Sequence, residues 1–259
     1  MSLWCRLLFF CHLESTMREC IFCSGKANTR EHLWPEWLGK LFLQRASKIE
    51  LQIGQRPPKP FRALVTSRCV CKSCNEGWMS TLEGYAKPVM TPLMNDLSFR
   101  LDNVQQWLVS IWSVKTAMVF ECVNRHADRF YSEHDRRTLL AGTPPPDTAV
   151  WIGRHAHSNL VDGVARRLYG SKTASNPFAE GYVTSLVFFR LVIQVFTLRL
   201  KPEFKGRSVR LNIKPGPWNQ SLAQIWPIKR RFAKWPPSLS FSNSGTSFEE
   251  LSKRFLPSR

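Results

Sequence analysis

The sequence predicts an α+β fold with a metal-stapled N-terminal part, and three observations carry that reading. Two Cys-x-x-Cys pairs, Cys20/Cys23 and Cys71/Cys74, stand in the first third of the chain. Apolar residues then recur at helical spacing as far as Val123. Beyond "TPPPD" at Thr143 to Asp147 the texture changes to short runs rich in β-branched and aromatic residues.

The elements follow in order. "PEWLGKLFLQ" puts Trp37, Leu38, Leu41 and Phe42 at helical spacing and predicts a short amphipathic helix from near Pro35. "GQRPPKP" is a loop, and "FRALVTSRCV" a strand leading into the second cysteine pair. "NEGWMSTLEGYAKPVM" predicts a helix from Asn75 with Trp78, Leu82 and Tyr85 on one face. Val104 to Val123 predicts a longer core helix whose one interior cation, Lys115, reads as snorkelling, with a functional role as the lesser reading. "AVWIGRH", "GYVTSLVFF" and "RLVIQVFTLRL" read as strands. The last is too apolar for a surface strand, yet far short of the ~20 residues a bilayer span needs, so it is a buried strand. Both "KPGPWN" and "WPPSLSFSNSGTS" read as loop or irregular tail.

Three regions result: an N-terminal extension over 1–16, a zinc-stapled module over 17–90, and a basic α+β domain over 91–259. The 259 residues are 43% hydrophobic and 12% aromatic, enough to fill one large core or two smaller ones. The formal charge of +18 exceeds any solubility requirement and favours a polyanionic partner, nucleic acid first. Residues 201–259 hold twelve Lys or Arg against three Glu, half of that surplus. Within them "KRRFAKW" mixes cations with aromatics, which suits phosphate contact and base stacking by Lys229, Arg230, Arg231 and Lys234; a solvated turn is the plain alternative. No export signal or membrane span is expected, and the oligomeric state, a homodimer included, stays open.

Eight cysteines clustered as these are do not make a disulfide scaffold; metal binding in a reducing compartment, the cytoplasm, fits better. Two Cys-x-x-Cys knuckles complete a tetrahedral four-thiolate site from Cys20, Cys23, Cys71 and Cys74, with Zn the expected ion and Fe its competitor. Cys69 is an alternative to Cys71 as ligand; Cys5 and Cys11 lie outside the pattern. A site closed by four thiolates has no open position, so this zinc is structural. Stapling Cys20 to Cys74 brings "REHLWP" and Asn75 into one volume. Glu31 then offers a carboxylate oxygen and Asn75 a carbonyl oxygen, which suit Mg or Mn, and His32 offers a base. Of the other histidines, His155 and His157 alternate on a strand and read as a solvated face, and His126 and His134 as surface residues.

Cys-x-x-Cys, an acidic residue and His with Pro close behind, then Cys-x-x-Cys-Asn resembles the HNH endonuclease superfamily, and most nearly its zinc-stapled branch, which includes phage endonuclease VII. The resemblance covers Cys20 to about Pro88. It implies a ββα-metal module with structural Zn on the four cysteines, His32 as general base at the end of a hairpin strand, and a catalytic Mg or Mn on Glu31 and Asn75 at the start of the packed helix. The implied activity is metal-dependent hydrolysis of phosphodiester bonds, of DNA before RNA. Glu31 stands where Asp is commoner, and Asn75 where many members carry a final His. The alternative is a non-catalytic zinc-ribbon protein that binds nucleic acid, which would have no use for a base at His32.

Overall fold

The computed structural model describes residues 19–45, 50–51, 59–60, 66–123, 129–156, 161–169, 178–204, 221–238, 240–241 and 251. The 1–16 extension, Cys5, Cys11, His126, His157, the 54–58 part of "GQRPPKP" and the loop "KPGPWN" lie outside the described residues, as does most of the tail from 242 onward.

The first layer follows from the knuckles. Strand β1 (Thr29–His32) pairs antiparallel with β4 (Thr66–Val70), with Glu31 opposite Ser67 and His32 opposite Thr66. Helix α1 (Glu36–Arg45) follows β1, and β2 (Glu50–Leu51) pairs with β3 (Lys59–Pro60) between the two longer strands. After β4 the chain turns into α2 (Lys72–Cys74), a π-helical turn (Asn75–Met79) and α3 (Ser80–Met94). The helical run therefore starts three residues before Asn75, and Gly77 leaves helical geometry within it (φ −89°, ψ −112°). The buried face of α3 is Leu82, Ala86, Val89, Met90, Leu93 and Met94. Tyr85 is 65% exposed, because the stripe of α3 that meets the core runs through Leu82, Ala86, Val89 and Leu93 and Tyr85 falls beside it.

Helix α4 (Asn103–Val123) is the central element, reached through β5 (Phe99–Leu101). It is buried nearly all round, as an apolar helix inside a larger fold must be. Its interior hydroxyls are satisfied within the helix: Ser110, Ser113 and Thr116 donate to the carbonyls of Gln106, Val109 and Trp112 at 2.7–2.9 Å. Helix α5 (Glu133–Leu140) opens with a capping box between Ser132 and Asp135.

The third layer is one sheet built from β6 (Thr148–His155), β7 (Val161–Tyr169), β8 (Ala179–Phe188), β9 (Leu191–Leu200) and β10 (Leu222–Trp226) in the order β10-β6-β9-β8-β7. All these pairs are antiparallel, and β12 (Ser240–Phe241) adds to β6 in parallel. Strand β11 (Ala233–Trp235) leaves the sheet to pair with β5. The unbroken apolar run of β9 is explained by burial on both faces. Phe188, at the β8–β9 turn, meets Trp112 of α4 at a ring separation of 5.9 Å, while Val187 and Val192 pack with Leu251. Strand β7, which no sequence signal marks, carries Gly163; a Cβ there would fall 2.8 Å from Phe120 and 3.0 Å from Trp34. One core cluster runs from Cys20 to Trp235, so the cysteine-rich N-terminal region and the sheet share their apolar interior through α4. Among the described residues no helix is long and apolar enough to cross a membrane.

One histidine differs from expectation. His155 is 1% exposed at the end of β6, where its backbone N–H donates to the Arg190 carbonyl, so it is not on a solvated face. His134 is exposed, as anticipated.

Candidate metal centre

Local chain geometry assembles each half of the centre. In the first knuckle the Cys20 N–H donates to the Gly25 carbonyl at 2.7 Å, and the Gly25 N–H points at Cys23 Sγ at 3.4 Å. Space is tight there, since a Cβ on Gly25 would lie 3.4–3.5 Å from the Cys23 and Cys71 side chains. In the second knuckle Cys71 caps α2, its Sγ accepting from the Cys74 N–H at 3.4 Å. The Ile21 N–H to the Cys69 carbonyl, 2.9 Å, joins the two halves.

The sulfurs of Cys20, Cys23, Cys71 and Cys74 consequently lie within 4.8 Å of one another. Cys23 Sγ is 3.5 Å from Cys71 Sγ and 3.6 Å from Cys74 Sγ. A tetrahedron of thiolates around Zn at about 2.3 Å has edges of about 3.8 Å, so the four sulfurs fit such an ion. Burial pushes the Cys71 thiol up, but hydrogen bonds from Ser73, the Cys74 N–H and the neighbouring sulfurs outweigh it and bring it down to about 6. Burial and the adjoining sulfurs hold Cys74 well above the ordinary thiol range. Cys69 is no part of the cluster. It is buried beside Cys122 of α4, whose thiol, with burial, raises it far above the usual range. The choice between Cys69 and Cys71 as fourth partner thus falls to Cys71, because β4 ends at Val70 and the turn into α2 takes Cys71 off the strand on which Cys69 meets Cys122.

The groups beside the centre are tied to it through β1. Thr29 Oγ1 donates to the Val70 carbonyl at 3.0 Å, and Asn75 Nδ2 donates to Thr29 Oγ1 at 3.2 Å. Asn28 Oδ1 accepts from the Lys72 N–H at 3.1 Å. The start of the helical run is therefore bonded to the strand that carries Glu31 and His32. Neighbours on a strand point to opposite sides. Accordingly Glu31 is 4% exposed, whereas His32, the last residue of β1, is half-buried, as is Asn75.

Glu31 has a partner that sequence reasoning did not supply. Lys115 does not snorkel: it is 1% exposed, with Nζ 2.7 Å from Glu83 Oε1 and 3.4 Å from Glu31 Oε1. Burial alone would lower the Lys115 ammonium, but Glu83 and Glu31 together hold it above its usual value. Burial also holds the Glu31 carboxyl above the usual carboxylate range, with Lys115 opposing. The signal for this triad was present in the sequence as a lone cation in an otherwise apolar helix, since a buried lysine requires a carboxylate. Glu83, in "WMSTLE", is the other member.

Lys229, Arg230, Arg231 and Lys234 are all exposed; the first three lie on the segment leading into β11 and Lys234 within it. Gln106 Nε2 fastens that segment to α4 by donating to the carbonyls of Arg230 and Leu101, both at 3.1 Å. Comparison of the chain with protein-family models, with curated proteins and with solved structures found no match.

Proposed function

We propose that this chain is a metal-dependent endonuclease of HNH type that hydrolyses phosphodiester bonds of nucleic acid, DNA before RNA. The observation that carries the reading is the bond from Asn75 to Thr29. A four-sulfur staple, an antiparallel strand pair and the helix after it converge so that Asn75 meets the strand of Glu31 and His32. In this reading zinc on the four cysteines fixes the scaffold and does no chemistry.

Glu31 and Asn75 are the oxygen donors for a divalent ion, Mg or Mn. Glu31 turns Oε1 toward Lys115, which leaves its second oxygen for a cation, and Asn75 turns Nδ2 toward Thr29, which leaves Oδ1. When bound, such an ion stabilises the negative charge that develops on the phosphate and the departing oxygen. His32 stands on the more open side of β1, where its imidazole takes the proton of a water whose oxygen attacks phosphorus. The P–O bond to the leaving oxygen then breaks, and that oxygen takes a proton from solvent.

His32→Ala tests the reading on supercoiled plasmid and on RNA, with Mg, with Mn and with EDTA. Zinc content should be unchanged and cleavage should fall by about 10²–10⁴-fold, the usual contribution of a proton-transfer group. Asn75→Ala should instead show a defect that shrinks as the divalent ion is raised. Cutting by His32→Ala at the wild-type rate would overturn the assignment.

The second reading is a non-catalytic zinc module that binds nucleic acid. The burial of Glu31 against Lys115 favours it, since that ion pair gives Glu31 a structural role without any added metal. A purified wild-type chain that binds DNA but cleaves neither substrate with either ion would establish it.

A further inference from the structure

Strands β5 and β11 come from segments far apart in sequence and form a two-stranded ribbon with Lys234 opposite Arg100, Ala233 opposite Leu101 and Trp235 opposite Phe99. Directly opposed residues of an antiparallel pair share a face. Leu101, Ala233 and Trp235 are buried, so the other face turns Arg100 and Lys234 outward, and both are exposed. Arg100 and Lys234 are solvated, so water screens most of their mutual repulsion, and an anion set between them would meet both charges at once. Phe232, 39% exposed, extends this face, with the Arg100 guanidinium 4.5 Å and that of Arg231 5.4 Å from its ring centroid. Lys229 and Arg230 are exposed beside them. Among the described residues none of these five cations is in an ion pair with a carboxylate, and the nearest acid in sequence, Asp102, is engaged by the Gln105 N–H.

We propose that the exposed face of the β5–β11 ribbon, with Arg100 and Lys234 at its centre, is the surface that docks the phosphate backbone of DNA. The proposal rests on the nucleic-acid reading above and adds to it both a residue from a distant segment and a role for the aromatic ring. Phe232 does not offer a bare face for base stacking: its ring holds the guanidinium of Arg100, so it aims cations at phosphates. The same contact argues against a lipid surface, which needs an apolar side chain free to insert.

The ribbon's place fits a linear polyanion. Lys115, which marks the Glu31 site, lies twelve residues beyond Asn103, where the ribbon meets α4. At ~1.5 Å per residue the two are about 18 Å apart along the helix. Phosphates of one strand recur every ~3.4 Å along a duplex, so about five nucleotide steps separate a phosphate at the ribbon from one at the site.

The test is fluorescence anisotropy of the full chain with a labelled 20-base-pair duplex over a salt series, with Arg100→Gln/Lys234→Gln beside wild type. Both side chains are exposed, so thermal melting should be unchanged. Every phosphate that a removed cation no longer neutralises reduces the magnitude of the salt slope by about 0.9, so the double variant should show a slope smaller by about 1.8. Phe232→Ala should weaken single- and double-stranded DNA to the same degree. Wild-type slope and affinity in the double variant, with DNA still bound, would overturn the ribbon and leave the nuclease reading standing. Phe232→Ala weakening single strands alone would overturn the role given to the ring. A larger drop in binding to phosphatidylserine vesicles than to DNA would overturn the choice of partner. Wild-type protein that binds no DNA at low salt would remove both proposals.

Discussion

Replacing Lys115 by Met should destabilise the fold by about 3–5 kcal/mol, the cost of stranding a buried charge whose partner has been removed. The magnitude follows from the surroundings. Lys115 is almost wholly buried, and its ammonium serves two carboxylates at 2.7 and 3.4 Å, of which Glu31 has little access to water. Met has a similar length and apolar stem, so little of the destabilisation comes from packing. For a chain of this size the melting temperature should drop by roughly 6–20 °C. Urea unfolding of wild type, Lys115→Met and the triple variant Lys115→Met/Glu31→Gln/Glu83→Gln separates charge from shape. If stranded charge is the cause, neutralising both carboxylates should restore at least about half of the stability, because removing all the charged members together can be nearly neutral. A triple variant as unstable as Lys115→Met alone would refute the reasoning and assign the cost to packing.

Two further outcomes can be checked independently. Cys71→Ser should lower zinc from one ion per chain and loosen the N-terminal layer, while Cys69→Ser should keep its zinc; metal analysis of the purified variants decides, and stoichiometric zinc in Cys71→Ser/Cys74→Ser would defeat the four-sulfur centre. Arg154 holds the Asp96 carboxyl below its ordinary range through a two-pronged contact, against the effect of burial, so this pair contributes stability above the unfolded carboxylate value and loses it as pH falls through the lower folded value. Asp96→Asn should therefore cost about 1 kcal/mol at neutral pH, for a part-exposed pair, and nothing once both forms are protonated; a cost that persists in acid denaturant melts would assign it to shape.

What the sequence determined by itself was local. Each Cys-x-x-Cys knuckle is a tight turn whose geometry is fixed within a few residues, so the metal centre was legible before the fold was known. The long helix and the buried strand were legible for the same reason, since periodicity and an unbroken apolar run record burial directly in the order of residues. Tertiary structure decided whatever depends on a partner far along the chain. Lys115 stays inside because Glu31 and Glu83, from two other elements, meet its ammonium. Cys69 drops out of the metal set because α4 brings Cys122 to it. His155 is buried by packing around the sheet, and Tyr85 lies beside the stripe of α3 that meets the core. The β5–β11 ribbon belongs to the same class: strand pairing across more than a hundred residues leaves no periodic trace in either segment, so Arg100 and Lys234 become neighbours only when the chain closes.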